Sequence, residues 1–293
     1  MEHTLFKGGM EGMEYDRVIR DYEYSMATRH IHNEYEIYYL LEGERYYFID
    51  KESFYIQAGT FALVGRNQIH KTSMAGKSYH DRILMEVKGY VCDDLLRLLG
   101  LPGMEDFFSR NYGVITVEEE KRPYVESLLF QIQEELAGRQ SGFEAVVKLK
   151  LAELLAYLYR VSRRKGSVVP DVREKQTAKH KKVGEVAEYI MDHYEEPQSL
   201  DSLAKQFYVS KCYLSRIFKE VTGFTINEYV NFNRVKRAQE LLGSSEYSVT
   251  DIAGMLGYDS ITYFERVFKK YSSVSPLQYR KRFGFHRSKL SGK

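Results

Sequence analysis

The chain has 293 residues, 43% of them hydrophobic, with a net charge of +2 and only two cysteines. That length is too great for one ordinary domain, and two cysteines exclude a disulfide framework. No apolar run approaches the ~20 residues of a membrane span, and Met-Glu-His-Thr opens no basic-then-apolar leader, so the expectation is a cytoplasmic protein. The charge is uneven: residues 171–293 hold 21 Lys and Arg against 15 Asp and Glu, and residues 1–170 hold 22 against 26. A basic C-terminal part fits a polyanionic partner.

Short strands dominate the first 115 residues. Tyr35 to Leu41 is a dense aromatic and β-branched run, ended by Glu42-Gly43-Glu44. Tyr46 to Ile49 and Phe54 to Gln57 flank Asp50-Lys51-Glu52-Ser53, a hairpin signal. Phe61 to Val64 and Ile83 to Val87 are further strands. Strands at ~8–12-residue spacing with glycines between them suggest an all-β barrel or jelly roll.

Within this part His30, His32 and Glu36 share parity, so an extended strand would turn them to one side. His70 follows the next Gly-rich turn and is placed to join them from a neighbouring strand. Imidazoles with a carboxylate suit zinc, iron or manganese. His30-x-His32-x3-Glu36-x6-Gly43, with Gly59-Thr60-Phe61-Ala62-Leu63-Val64 and His70, resembles the two motifs of the cupin superfamily. In metal cupins those four positions are ligands. The resemblance departs at Met74, where an Asn is usual, and in the residues before His70. The bland alternative is a hydrogen-bonded core or a pocket lining. His30, His32, Glu36, Tyr38 and His70 are the ligand-binding candidates, with Tyr46 and Tyr55 as further rings to stack on a sugar face.

From Gly113 the pattern turns helical. Glu118-Glu119-Glu120 suits a first turn, and the helix should reach Leu136. A second helix starts near Gly142. Val147, Leu151, Leu154, Leu158 and Val161 form an a/d seam, which fits either packing within the chain or a dimer interface. Arg163 to His180 reads as a polar linker.

The C-terminal part repeats itself. An opening helix carries Val183, Val186, Ala187 and Ile190 and ends near Glu196-Pro197. Ser199 caps the next helix, Phe207-Tyr208-Val209 turns, and Ser210 caps a third. In that third helix Leu214, Ile217 and Phe218 share one face, while Lys211, Cys212, Ser215, Arg216 and Lys219 share the other. Gly223 stops it. A spacer follows over about Ile226 to Leu242, roughly 26 Å long at 1.5 Å per residue. Then Ser248-Val-Thr-Asp251 forms a capping box, Gly257-Tyr258-Asp259-Ser260 turns, and Ile261 through Tyr271 forms the second equivalent helix. Its outer face holds Ile261, Thr262, Glu265, Arg266 and Lys269. Pro276 to Phe283 closes the domain.

The order Ser210-x2-Tyr-Leu-x-Arg-x-Phe-Lys-x3-Gly223, Arg234-x3-Ala238-x2-Leu-Leu242, Ile252-Ala253-x3-Gly257-Tyr258, Tyr263-Phe264-x-Arg266-x-Phe268-Lys269 and Ser275-Pro276-x2-Tyr279-Arg280 resembles the AraC/XylS family of transcription regulators. The likeness runs over about a hundred residues at family spacing. Ser273 departs from the usual Gly after the second recognition helix, so a left-handed helix end is either strained or replaced there. The resemblance implies two recognition helices in successive major grooves. By position, Cys212, Ser215, Arg216, Ile261, Thr262, Glu265 and Arg266 face base edges, and Lys211, Lys219 and Lys269 face phosphates.

The reading is therefore an α+β multidomain chain. Residues 1–165 form a cupin-like β-barrel (jelly roll) sensor with packed helices and a helical dimerisation segment at about 116–165. Residues 166–180 are a linker, 181–285 an all-α domain with two helix-turn-helix units, and 286–293 a basic tail. The function expected is a DNA-binding transcription regulator, an activator, answering to a small-molecule effector, with a carbohydrate favoured. Promoter half-sites, a second copy of the chain and RNA polymerase are the expected partners, with no membrane. No catalytic residue and no required cofactor are expected, and a divalent metal at His30, His32, Glu36 and His70 is the candidate cofactor. The alternatives are a barrel that only dimerises, and a metal-dependent cupin enzyme.

Overall fold

The computed structural model describes residues 1–25, 32–163 and 176–284. The chain forms two compact units, Met1–Lys181 and Lys182–Lys293.

The first unit opens with β1 (Glu2–Met10) and β2 (Met13–Asp21), a hairpin that the sequence reading does not include. It continues with β3 (Tyr35–Ile49), β4 (Glu52–Gln57), β5 (Thr60–Val64), β6 (His70–Met74) and β7 (Tyr79–Val87). Two short helices follow, α1 (Asp93–Leu98) and α2 (Met104–Asn111), then β8 (Gly113–Thr116), α3 (Arg122–Gly138) and α4 (Phe143–Arg163). The pairing is antiparallel throughout, in the order β1-β2-β7-β3-β5-β8, with β4 and β6 also on β3.

The two expected strands around Glu42-Gly43-Glu44 are one. Tyr35 to Leu40 pairs with β5 and β7, and Glu44 to Ile49 pairs with β4 and β6. The register shifts between Leu40 and Glu42, a bulge that carries the strand from one set of partners to the other. Gly43 sits there at φ 94°, where a Cβ would lie 2.4 Å from the Tyr79 carbonyl oxygen. Only glycine fits.

The bulge also flips the parity of everything after it. Before it, Tyr38 and Leu40 point into the barrel; after it, Tyr47 and Ile49 do, packed with Ile56, Ala62 and Val64. The opposite face, Ile37, Tyr39, Phe61, Leu63, Ile83, Met85 and Val87, is covered by α2, α3 and α4. Both faces of β3 are buried, so its sequence shows no polar alternation.

The seam of α4 packs inside the chain. Val147, Leu151, Leu154 and Leu158 are buried in the cluster that also holds Leu129 and Ile132 of α3. Each contributes about 1.5–3 kcal/mol by burial, and none of the four is left for a second copy. Glu119 and Glu120 stand in a 3-10 turn before α3, which begins at Arg122 with Pro123 in its first turn.

The second unit comprises α5 (Ala178–Asp192), α6 (Leu200–Gln206), α7 (Lys211–Thr222), α8 (Ile226–Ser244), α9 (Val249–Met255), α10 (Ile261–Ser272) and α11 (Pro276–Phe283). α5 takes in the last three residues, 178–180, of the stretch read as linker. Ser199, Ser210, Thr225, Ser248, Ser260 and Ser275 each accept a hydrogen bond from the backbone N–H three residues on. Each such cap stabilises by about 1 kcal/mol. No helix among the described residues is long and apolar enough to cross a membrane.

Candidate nucleic-acid interface and barrel site

α7 and α10 have the same pattern of exposure over the first ten of their twelve residues. Leu214, Ile217 and Phe218 are buried in one, and Phe264, Val267 and Phe268 in the other. Lys211, Cys212, Ser215, Arg216 and Lys219 are exposed on α7; Ile261, Thr262, Glu265, Arg266 and Lys269 are exposed on α10. Every residue read as facing DNA thus lies on the outer face of its helix.

The two arginines are held alike. The guanidinium of Arg216 lies 5.7 Å from the Tyr213 ring centroid, and that of Arg266 lies 5.2 Å from that of Tyr263. Stacking on a ring one turn back limits the rotamers without neutralising the charge. Lys211 differs, because its ammonium is paired with Asp201.

What precedes each helix is also parallel. The Val209 N–H donates to the Ala204 carbonyl, and the Tyr258 N–H to that of Ala253. The residues at the turn, Tyr208 and Gly257, both have left-handed backbones, φ 55° and 73°. The second turn is one residue longer.

Arg234 of α8, in the sequence one position of the family-like motif, has a structural role. It is buried, and its guanidinium donates to three carbonyls: Tyr194 (2.6 Å), Gly257 (2.9 Å) and Glu196 (3.0 Å). Asn231 adds a bond from the Tyr258 hydroxyl at 3.1 Å. The second turn is thereby fastened to the spacer helix. At Ser273 the left-handed end is kept, φ 60°, without glycine.

In the barrel, His32, Glu36 and His70 come together, with one donor atom from each within 4.8 Å of the others. His30 lies outside the described residues. The shared-parity argument does not hold for His32, because β3 starts at Tyr35 and the imidazole comes from the segment before it. It still reaches Glu36: His32 Nε2 and His70 Nε2 each lie 3.2 Å from Glu36 Oε2. Tyr47 donates its hydroxyl to Glu36 Oε1. Each imidazole has its Nδ1 on a backbone carbonyl, Glu34 at 3.1 Å and Gln68 at 3.0 Å. That places the N–H on Nδ1 and aims Nε2 at the carboxylate, the orientation a metal ligand also needs. Burial opposes ionisation of Glu36, yet His70, His32 and Tyr47 together hold its carboxyl well below the usual range. Burial likewise works against a charged His32, but Glu36 and Glu86 keep it above its ordinary value.

Tyr38 also points inward, edge-on to Tyr47 at 5.2 Å. Burial pushes its hydroxyl up to about 12. Tyr46 and Tyr55 pack against each other at 5.8 Å, and Tyr55 donates to Glu44.

Sequence reasoning missed Arg20, Arg45, His80 and Arg82, which are all buried in this unit. The available signal was a set of charged residues inside strands. The bulge hid the sidedness of Arg45, since strict alternation from Glu36 would turn it outward.

Comparison with known proteins agrees with both units. An AraC-like ligand binding domain matches residues 16–155, and a helix-turn-helix domain matches residues 203–282. The regulatory protein SoxS of Salmonella typhimurium is 39% identical over 95 residues, 32% of this chain and 89% of that protein. An uncharacterized HTH-type transcriptional regulator of Bacillus subtilis, YisR, is 24% identical over 263 residues, 87% of this chain and 88% of the relative. Another from Bacillus subtilis, YfiF, is 25% identical over 260 residues, 86% of this chain and 78% of the relative. With a DNA-binding unit and a ligand-binding domain in one chain, the protein belongs to the AraC family of transcription regulators.

Proposed function

We propose that the protein reads a promoter through α7 and α10 placed in successive major grooves, under the control of a small molecule held in the barrel. The observation that carries the reading is the matched outer face of the two helices, each with an arginine stacked on a tyrosine and a lysine one turn on. Arg216 and Arg266 would contact guanine or phosphate, and Lys219 and Lys269 phosphate. Lys211 contributes less, because Asp201 already holds it. Ser215 and Glu265 occupy the same position on the two helices and would carry the difference in base preference.

For the effector we favour a carbohydrate, supported by Tyr38 and Tyr47 lining an interior that also holds hydrogen-bonding side chains. His32, Glu36 and His70 also fit a divalent cation, through two imidazole nitrogens and one carboxylate oxygen. Such an ion would bridge the segment before β3 to β6. The site then acts in binding, and no catalytic step is assigned to it.

We further propose a homodimer on paired half-sites, acting as an activator that meets RNA polymerase. Since the α4 seam is consumed within the chain, the dimer would use the outer face of α3 and α4, where Leu149 stays exposed. Effector occupancy would shift the population able to engage both half-sites. Mobility shifts on the promoter region, repeated at rising salt, test the function. Sequence-selective binding that weakens steeply with salt is expected. Equal affinity for promoter and unrelated DNA would sink it.

A further inference from the structure

One buried cation of the barrel, Arg45, is paired with no carboxylate among the described residues. β2, β3 and β7 bring Arg20, Arg45 and Arg82 together, with His80 beside them. Arg82 is paired with Asp16, and Arg20 with Glu2 at 2.7 Å. Arg45 has no carboxylate among the described residues. It is 0% exposed. Its Nε donates to Thr72 Oγ1 at 3.1 Å and its Nη2 to the Tyr24 carbonyl at 2.6 Å, while its Nη1 has no hydrogen-bond partner among the described residues.

Three other side chains gather around the Arg45 guanidinium. The Tyr24 ring lies 3.9 Å from the Arg20 guanidinium and 5.8 Å from that of Arg45. The same ring sits 6.3 Å from the His80 imidazole. Tyr38 points inward from β3 two residues before Leu40, the strand partner of Arg82 on β7, so its hydroxyl shares the inward face with Arg82. His80 adds no second charge: burial and the neighbouring Arg45 hold it at about 4, with its Nδ1 on the Ser78 carbonyl at 3.1 Å.

A buried ion left without a counter-charge is among the costliest features a fold can carry. A water molecule would satisfy the Nη1 hydrogens but not the charge. An oxyanion does both, and guanidinium is the side chain best matched to one. We propose that this cluster is an oxyanion site, at which the effector presents a carboxylate or phosphate group to Nη1 of Arg45 with the Tyr38 hydroxyl alongside. This rests on the reading of the barrel as an effector site and deepens it: the carbohydrate would be a sugar acid or a sugar phosphate. With one charge uncompensated, a carboxylate matches more closely than a phosphate dianion.

The test is thermal unfolding of the full-length protein in sodium acetate, sodium phosphate and sodium chloride at equal ionic strength, for the wild type, Arg45→Lys and Arg45→Met. Acetate should raise the wild-type Tm saturably over chloride, by about 2–4 °C once the site is well occupied. Arg45→Lys should keep part of the rise and Arg45→Met none. The Met variant removes an unpaired buried charge, so it should fold, as circular dichroism would report; Arg45→Lys carries the test should it not. A larger rise with phosphate would assign the phosphate form. Equal Tm in all three salts would overturn the proposal, as would a rise that survives in Arg45→Met. Glucose and galactose, run beside the salts, separate the two readings. If either stabilises wild type and Arg45→Met alike, the barrel stands as an effector site and the anionic effector falls.

Discussion

The two helix-turn-helix units present the same outer face but are braced differently. In the first, the turn residue with a left-handed backbone is Tyr208, 94% exposed, and the helix ends on Gly223. In the second, the turn residue is Gly257 and the helix ends on Ser273. Each unit therefore has one left-handed site with glycine and one without. The difference at the turn has a cause. A Cβ on Gly257 would lie 2.1 Å from the Glu195 carbonyl oxygen and 2.8 Å from Arg234, because Arg234 pulls the second turn against α8. Tyr208 faces water, where a side chain costs only its backbone conformation. Close bracing dictates the residue in one unit, and its absence leaves the choice open in the other.

The largest expected effect comes from undoing that bracing. Arg234→Ala takes the donor from three part-buried carbonyls and leaves a cavity at a buried position, and should destabilise the second unit by about 2–3 kcal/mol. Urea unfolding would show a lower midpoint, and DNA affinity should fall with it. An unchanged midpoint would mean that the Arg234 bonds do not hold the turn. Gly257→Ala combines a backbone clash with a left-handed penalty and should cost more than about 2 kcal/mol. Tyr208→Gly should do the opposite and stabilise by up to about 1 kcal/mol, since it relieves a left-handed site at an exposed position. Calorimetry on the pair would settle the contrast: if both variants changed Tm in the same direction, the two turns would not differ as described.

How much was legible in the sequence follows from the same physics. α7, α10 and α11 could be read nearly to the residue, because their apolar positions recur every three or four residues behind a serine cap. Those signals are local. β3 was not legible as one strand: its inward and outward residues are both apolar, and the parity change at the bulge depends on partners remote in sequence. β1 and β2 were missed because Glu2 to Asp21 is rich in charge, and the pattern of Met13, Tyr15 and Val18 is short. In the site, the meeting of His32, Glu36 and His70 was legible as residue types at a spacing, though the reason given for His32 was wrong. Arg45 was not legible, because nothing near it in sequence says that it lacks a counter-charge.

The central claim is that α7 and α10 both read DNA through their outer faces. The most direct measurement is quantitative footprinting of the wild type beside Arg216→Ala, Arg266→Ala and Glu265→Ala at fixed salt. Each arginine variant should weaken binding by about 1–3 kcal/mol and lose protection in a different half of the footprint. Glu265→Ala should relax base preference in the half that Arg266 protects. Unchanged affinity and footprint in all three would contradict the account.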